Sequence, residues 1–142
     1  MTYEEKWTWM YGLISIVAFG WYLVWLLGQA FGIAPTQITY VVPMIAAIGS
    51  AVLASIVGNI LIALAAPKEA DKRDQRDQEI QRHGDYSGQF MVNLGGLAVL
   101  IMCMLQLNHF WIAHTMYFAF VGSAIVSSVV KIISYRQGFA PC

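Results

Sequence analysis

This chain is short of charge, and the little it has is confined to three stretches. Asp, Glu, Lys and Arg occur only within residues 4–6, 68–85 and 131–136. Residues 7–67 and 86–130 contain none. Soluble domains carry about 25% charged residues, whereas this chain of 142 residues carries 11% and is 58% hydrophobic. A charge in hydrocarbon costs several kcal/mol, and spanning helices avoid it. The two charge-free stretches therefore predict membrane-embedded protein and exclude an ordinary soluble domain.

Other absences narrow the function. Cysteine is scarce: Cys103 falls inside an apolar run and Cys142 ends the sequence, so neither a disulfide framework nor a Cys-x-x-Cys centre is expected. There is no HExxH, Gly-x-Ser-x-Gly or P-loop, which argues against an enzyme. No cofactor is expected. Net charge is zero, so no global field favours nucleic acid. No span carries the carboxylate or basic group that ion coupling usually needs. Small multidrug transporters have four spans but rely on a carboxylate in the first, and residues 7–28 contain none.

What is present predicts an all-α membrane protein, an antiparallel bundle of four transmembrane helices forming one domain over 1–142. A helix needs about 20 residues to cross the ~30 Å hydrocarbon core, so each charge-free stretch accommodates two crossings and a turn. The expected spans are 7–28, 39–66, 87–106 and 110–133. The breaks are the Gly- and Pro-containing segment 28–37 and the polar run Gln106-Leu107-Asn108-His109. Residues 7–27 are too long and too rich in Trp for a signal-peptide core, and are expected to be a retained span. Pro67 should stop the second span, and Pro43 is tolerated in its first turn. Asp85 or Ser87 is the expected N-cap of the third.

The positive-inside rule sets the expected orientation. All eight Lys and Arg lie in the N-terminal segment, the 67–86 connector and the C-terminal end. Both termini and the connector are therefore expected in the cytoplasm. Trp7, Trp9 and Tyr11, and at the other end of the first span Trp21, Tyr22 and Trp25, fit interfacial aromatic belts.

Within the spans, small residues recur at spacing four: Ala47, Ala51 and Ser55; Ser50, Ala54 and Gly58; Ala119, Ser123 and Ser127. Such rows let helix backbones approach closely, within one bundle or at a homodimer seam. Gly95-Gly96 is likewise read as close packing. Three intramembrane polar side chains are binding candidates: Asn59, Asn93 and His114. Asn59 and Asn93 are each eight residues from a connector end, which predicts matching depth in an antiparallel hairpin of spans two and three. His114 is expected to hydrogen-bond a neighbour such as Gln106, since no second intramembrane histidine offers a bis-histidine site.

The connector 68–85 holds five basic and six acidic residues. Pairs at i,i+4 (Glu69/Arg73, Arg73/Asp77) and i,i+3 (Arg76/Glu79, Glu79/Arg82) predict a solvated helix ending near Gly84. Asp71, Asp74 and Asp77 form an acidic stripe beside Lys72, Arg73 and Arg76. The expected docking residues for a partner are Asp71, Arg73, Asp74, Arg76 and Asp77.

Asp71-Lys-Arg-Asp74-Gln-Arg-Asp77-Gln-Glu79-Ile80-Gln-Arg82-His-Gly84-Asp85, directly before a span, resembles the Asp-Glu-Arg-Asp-x-x-Ile signature of an uncharacterised group of small four-span bacterial inner-membrane proteins. His109-Phe110-Trp111-Ile112-Ala113 and Tyr135-Arg136-Gln137-Gly138-Phe139 are similar to that group as well. The resemblance covers about the C-terminal half, and Lys72 stands where the group commonly has Glu. It implies a bacterial inner membrane and four spans, and it implies no activity.

The expected function is a non-enzymatic accessory, regulatory or self-protection role, exercised through helix packing and the charged connector. The expected partners are the lipid bilayer and either further copies of the chain or another membrane protein. The alternative is a small dimeric carrier or binder of an apolar ligand, lined by Trp21, Trp25, Asn59, Asn93 and His114.

Overall fold

The structure is a computed structural model, and it describes residues 2–70 and 74–138, without the side chains of Glu69 and Ala70. Asp71, Lys72, Arg73 and Cys142 lie outside the described residues. Four long helices account for nearly all of it: α1 (Tyr3–Ala30), α2 (Val41–Ala65), α4 (Gln75–Met104) and α5 (His109–Gln137), with a short α3 (Pro67–Ala70) between the second and third. Each long helix is long and apolar enough to cross a membrane. Their outer faces carry many exposed large apolar side chains, such as Val17, Trp21, Val24, Val42, Leu53, Leu64 and Phe118. Water would reject such a surface, and lipid accepts it.

Local chemistry fixes the helix ends. The Thr2 side chain accepts from the Glu5 amide at 3.3 Å and caps α1. A 3-10 turn, Pro35–Gln37, links α1 to α2. Pro43 sits in the first turn of α2, and Pro67 follows its end, as the sequence requires. α4 closes with Gln106 at φ 52° and the Leu107 amide donating to the Met102 carbonyl at 3.1 Å, a Schellman-type stop. Asn108 Oδ1 then accepts from the Phe110 amide at 2.9 Å and starts α5.

The four helices pack in the order α2, α1, α5, α4. Neighbours run antiparallel: Tyr3 meets Asn59, Gly12 meets Ser128, and Lys131 meets Asp85. The charged residues of α1, α4 and α5 consequently gather at one end.

α5 is the central helix. It meets α4 through small residues on both sides. A methyl group at Gly88 would come within 2.9 Å of the Ser123 carbonyl oxygen, and one at Gly95 would overlap the Ala119 methyl. The Ala119, Ser123, Ser127 row is thus an internal seam, filled by glycines of α4. Ala47 of the α2 row is buried, while Gly58 lies against Met10 of α1. Ser50 and Ala54 are exposed.

At the end away from the charges, α1, α2 and α5 share an aromatic core. Tyr22 is fully buried there with Met44, Ala47, Tyr117 and Val121. Its ring meets Tyr117 edge-on at 5.2 Å. Its hydroxyl lies 2.6 Å from His114 Nε2, while His114 Nδ1 lies 2.6 Å from the Phe110 carbonyl oxygen. A carbonyl only accepts, so Nδ1 carries the proton, and Nε2 accepts from Tyr22. His114 is held by Tyr22 and Phe110, rather than by Gln106.

Two expectations about packing are corrected. α2 and α4 do not form a hairpin, because α1 and α5 stand between them. Nor do Asn59 and Asn93 share a depth. Asn59 Oδ1 accepts from the Tyr3 hydroxyl at 2.7 Å, in the first turn of α1. Asn93 is exposed, eight residues past Asp85, about 12 Å deeper at 1.5 Å per residue. Equal distance from a connector fixes depth only when the connector is a symmetrical turn. Here residues 75–85 belong to α4 itself.

Candidate functional site

The charged segment is part of the third span's helix. α4 runs without interruption from Gln75 to Met104, through Gly84. The expected helix end at Gly84 does not exist. Gly84 is buried because the aliphatic stem of Lys131 crosses it, leaving no room for a side chain. Neither Asp85 nor Ser87 is an N-cap. Asp74 occupies that position, Asp85 faces Lys131, and Ser87 Oγ donates to the His83 carbonyl at 2.9 Å.

Nor is the segment solvated all round. Ile80 is fully buried. Its neighbours on α4 face a polar cleft between the starts of α1 and α4 and the end of α5. One cavity of about 440 Å³ is lined by Glu4, Trp7, Asp77, Gln78, Gln81, Arg82 and Asp85. A second, of about 290 Å³, shares Trp7, Gln81 and Asp85 and reaches Tyr11, Ser123, Ser127 and Lys131.

The cleft is built on an ion pair. Lys131 Nζ lies 2.6 Å from Asp85 Oδ1; the lysine side chain is 12% exposed and the aspartate 68%. Ser127 Oγ donates to the same carboxylate oxygen at 3.4 Å. Gln81 Nε2 donates to the Tyr135 hydroxyl at 3.5 Å. Arg136 lies over the Trp9 ring, 5.7 Å from its centroid. The carboxylates of Glu4, Asp77 and Asp85 and the cations of Arg82 and Lys131 line the two cavities. Ser127 is not set up as a nucleophile: its side-chain partner is a carboxylate already engaged by Lys131. Among the described residues, no three His, Cys, Asp or Glu side chains are placed to hold a metal ion.

Of the expected docking residues, Asp74 and Arg76 are exposed at the start of α4, and Asp77 lines the cleft. Asp71 and Arg73 lie outside the described residues. Among the described residues, the ion pairs Arg76/Glu79 and Glu79/Arg82 are not formed, while Lys131–Asp85 joins two helices. The intramembrane candidates are scattered: Asn59 at the charged end, His114 in the aromatic core, Asn93 on the outer face of α4. Trp25 stacks on Tyr22 beside His114, while Trp21 is 55% exposed.

Sequence reasoning missed Asp85, Lys131, Ser127, Gln81 and Glu4 as one site. The signal was there in two rows of small residues. Aligning Gly88 and Gly95 antiparallel with Ser127 and Ala119 brings Asp85 within a turn of Lys131. No protein-family model, curated protein or solved structure matches this chain.

Proposed function

We propose that the chain is a non-enzymatic multi-pass protein of the bacterial inner membrane with an accessory, regulatory or self-protection role. It acts by docking a membrane or cytoplasmic partner on the polar cleft and the adjoining charged turns of α4. The observation that carries this reading is the continuity of α4. The same rigid helix bears Asp74, Arg76 and Asp77 and then the packed row Gly84, Gly88, Gly95. A partner that tilts the charged turns moves the whole third span against α5. The resemblance of residues 71–85 to the four-span bacterial group supports the location. Of the five residues named for a carrier of apolar ligands, Trp25 and His114 both pack on Tyr22, and the scattering of Trp21, Asn59 and Asn93 counts against that reading.

Both termini and the cleft face the cytoplasm, on the strength of the Lys and Arg partition. A Cys introduced at Thr36 or Asn108 is expected to react with an impermeant thiol reagent added outside intact cells, and one at Gln78 is expected not to. Labelling of the Gln78→Cys variant alone would reverse the orientation.

The docking role is tested by changing Asp71, Asp74 and Asp77 together to Lys. Insertion should persist, because the change adds positive charge to the side already positive. Partner recovery in an affinity pulldown from native membranes should fall at least about tenfold, roughly the effect of losing 1.4 kcal/mol. The control carries Asn59→Leu and His114→Leu, which weaken packing and leave the charged turns intact. Undiminished capture by the Lys variant at matched expression would sink the reading.

A further inference from the structure

The outer face of α4 carries a seam that the monomer leaves uncovered. Tyr86, Phe90, Asn93, Leu97, Leu100 and Met104 follow one another at spacings of four, three, four, three and four, and all six are exposed. At 100° per residue they stay within about 40° of one line. That line is opposite Gly84, Gly88 and Gly95, which face α5. The alternation of four and three is the heptad rhythm of two helices packed side by side.

Asn93 makes this face different from the other outer face of the row. On α2 the exposed Asn59 accepts from the Tyr3 hydroxyl at 2.7 Å, and the Ser50 hydroxyl donates to the Ala47 carbonyl at 3.0 Å. Ser15, Thr115 and Ser134 likewise satisfy their hydroxyls on carbonyls of their own helices. The Asn93 amide has no hydrogen-bond partner among the described residues. It lies about 12 Å past Asp85, too deep for its short side chain to reach the headgroups. An amide left unpaired in hydrocarbon costs about 4–8 kcal/mol by transfer to cyclohexane.

We propose that this seam docks the same seam of a second copy of the chain, with the two Asn93 amides hydrogen-bonded to each other. The membrane selects this occupant. Two copies inserted by the same rule run in the same direction, so α4 meets α4 in parallel and Asn93 faces Asn93 at equal depth. An amide carries both donor and acceptor, so it complements itself across a two-fold axis. The apolar residues on either side then interdigitate without change of register. This assignment does not depend on the cleft as a docking site, since the cleft is lined by residues 77–85 of α4 and the seam runs over 86–104.

The test uses the full chain in native membranes, with Cys103 and Cys142 replaced by Ser. Leu97→Cys is expected to give a disulfide-linked dimer on mild oxidation, and Leu53→Cys, on the outer face of α2, is expected not to. In lipid vesicles, with dimerisation read by energy transfer between labelled chains, Asn93→Leu should weaken association about tenfold, the scale of one interhelical amide bond in a membrane. Asn93→Gln should retain most of it. Asn93→Leu also removes an exposed polar group and leaves the core untouched, so the helices remain folded. Cross-linking through Leu53→Cys with none through Leu97→Cys would overturn the proposal. So would association unchanged by Asn93→Leu, or energy transfer at the level of non-interacting chains in the parent protein.

Discussion

Gly95→Leu is expected to unfold the protein far more readily than the neighbouring Gly96→Ala. The two glycines are adjacent, yet their surroundings are opposite. A Cβ at Gly95 overlaps the Ala119 methyl, whereas one at Gly96 meets nothing within 4 Å. The obstacle at Gly95 is not the far end of a flexible chain. It is a methyl fixed to the backbone of α5, so the helices themselves must part. Overpacking of this kind costs about 1–3 kcal/mol and occasionally more. A whole isobutyl group against a row of Ala and Ser belongs at the top of that range, about 3 kcal/mol. Separation at Gly95 also lengthens the reach from Lys131 to Asp85 and opens the cleft. Gly96→Ala should be neutral or stabilising by up to about 1 kcal/mol, since alanine restricts the unfolded chain and favours helix. Unfolding by denaturing detergent, followed by helical circular dichroism in mixed micelles, measures both. Equal stability of the two variants would show that the glycine row does not hold α4 to α5.

The same contrast shows what the sequence revealed and what it concealed. The four long helices were legible because burial of charge is so costly that residues 7–67 and 86–130 leave little alternative. The turns were legible from Pro35, Pro67 and Asn108, whose backbone preferences are local. Neighbour relations were not. Spans two and three are consecutive, but adjacency is decided by which surfaces fit. The glycines of α4 fit only the small-residue row of α5, while Gly58 and Ala47 of α2 fit α1. The connector was misread for a related reason. A glycine after a charged run usually signals a helix end, yet Gly84 serves to let the stem of Lys131 cross the helix. Charge pairing was equally hidden. Arg76, Glu79 and Arg82 satisfy the i,i+3 rule on paper without pairing, while Lys131–Asp85 links residues distant in sequence. As for the candidate site, its three described docking residues were visible in the charge pattern. Its cleft depends on the meeting of three helix ends, which no local pattern encodes.

The second large effect is expected at the Tyr22–His114 pair. Tyr22 is fully buried and packs against Tyr117 and Met44, so Tyr22→Ala should cost about 3–5 kcal/mol through the cavity it leaves. The hydrogen bond is separable from that packing. Tyr22→Phe keeps the ring but removes the hydroxyl, leaving His114 Nε2 without its donor; His114→Leu strands the Tyr22 hydroxyl instead. Each buried group left without its partner costs about 1–3 kcal/mol. The double variant Tyr22→Phe/His114→Leu removes both polar partners at once, and its loss should fall short of the sum of the single losses by about 1 kcal/mol or more. Loss of the His114 ring adds a packing term of its own, because it lies 4.1 Å from the Phe110 ring and 5.1 Å from that of Tyr40, centroid to centroid. That term appears in both variants lacking His114 and cancels from the coupling. Unfolding of the four proteins in the same micelles gives the cycle directly. Strict additivity would mean that the hydroxyl and the imidazole contribute separately, and that the aromatic core alone holds α1 to α5 at this end.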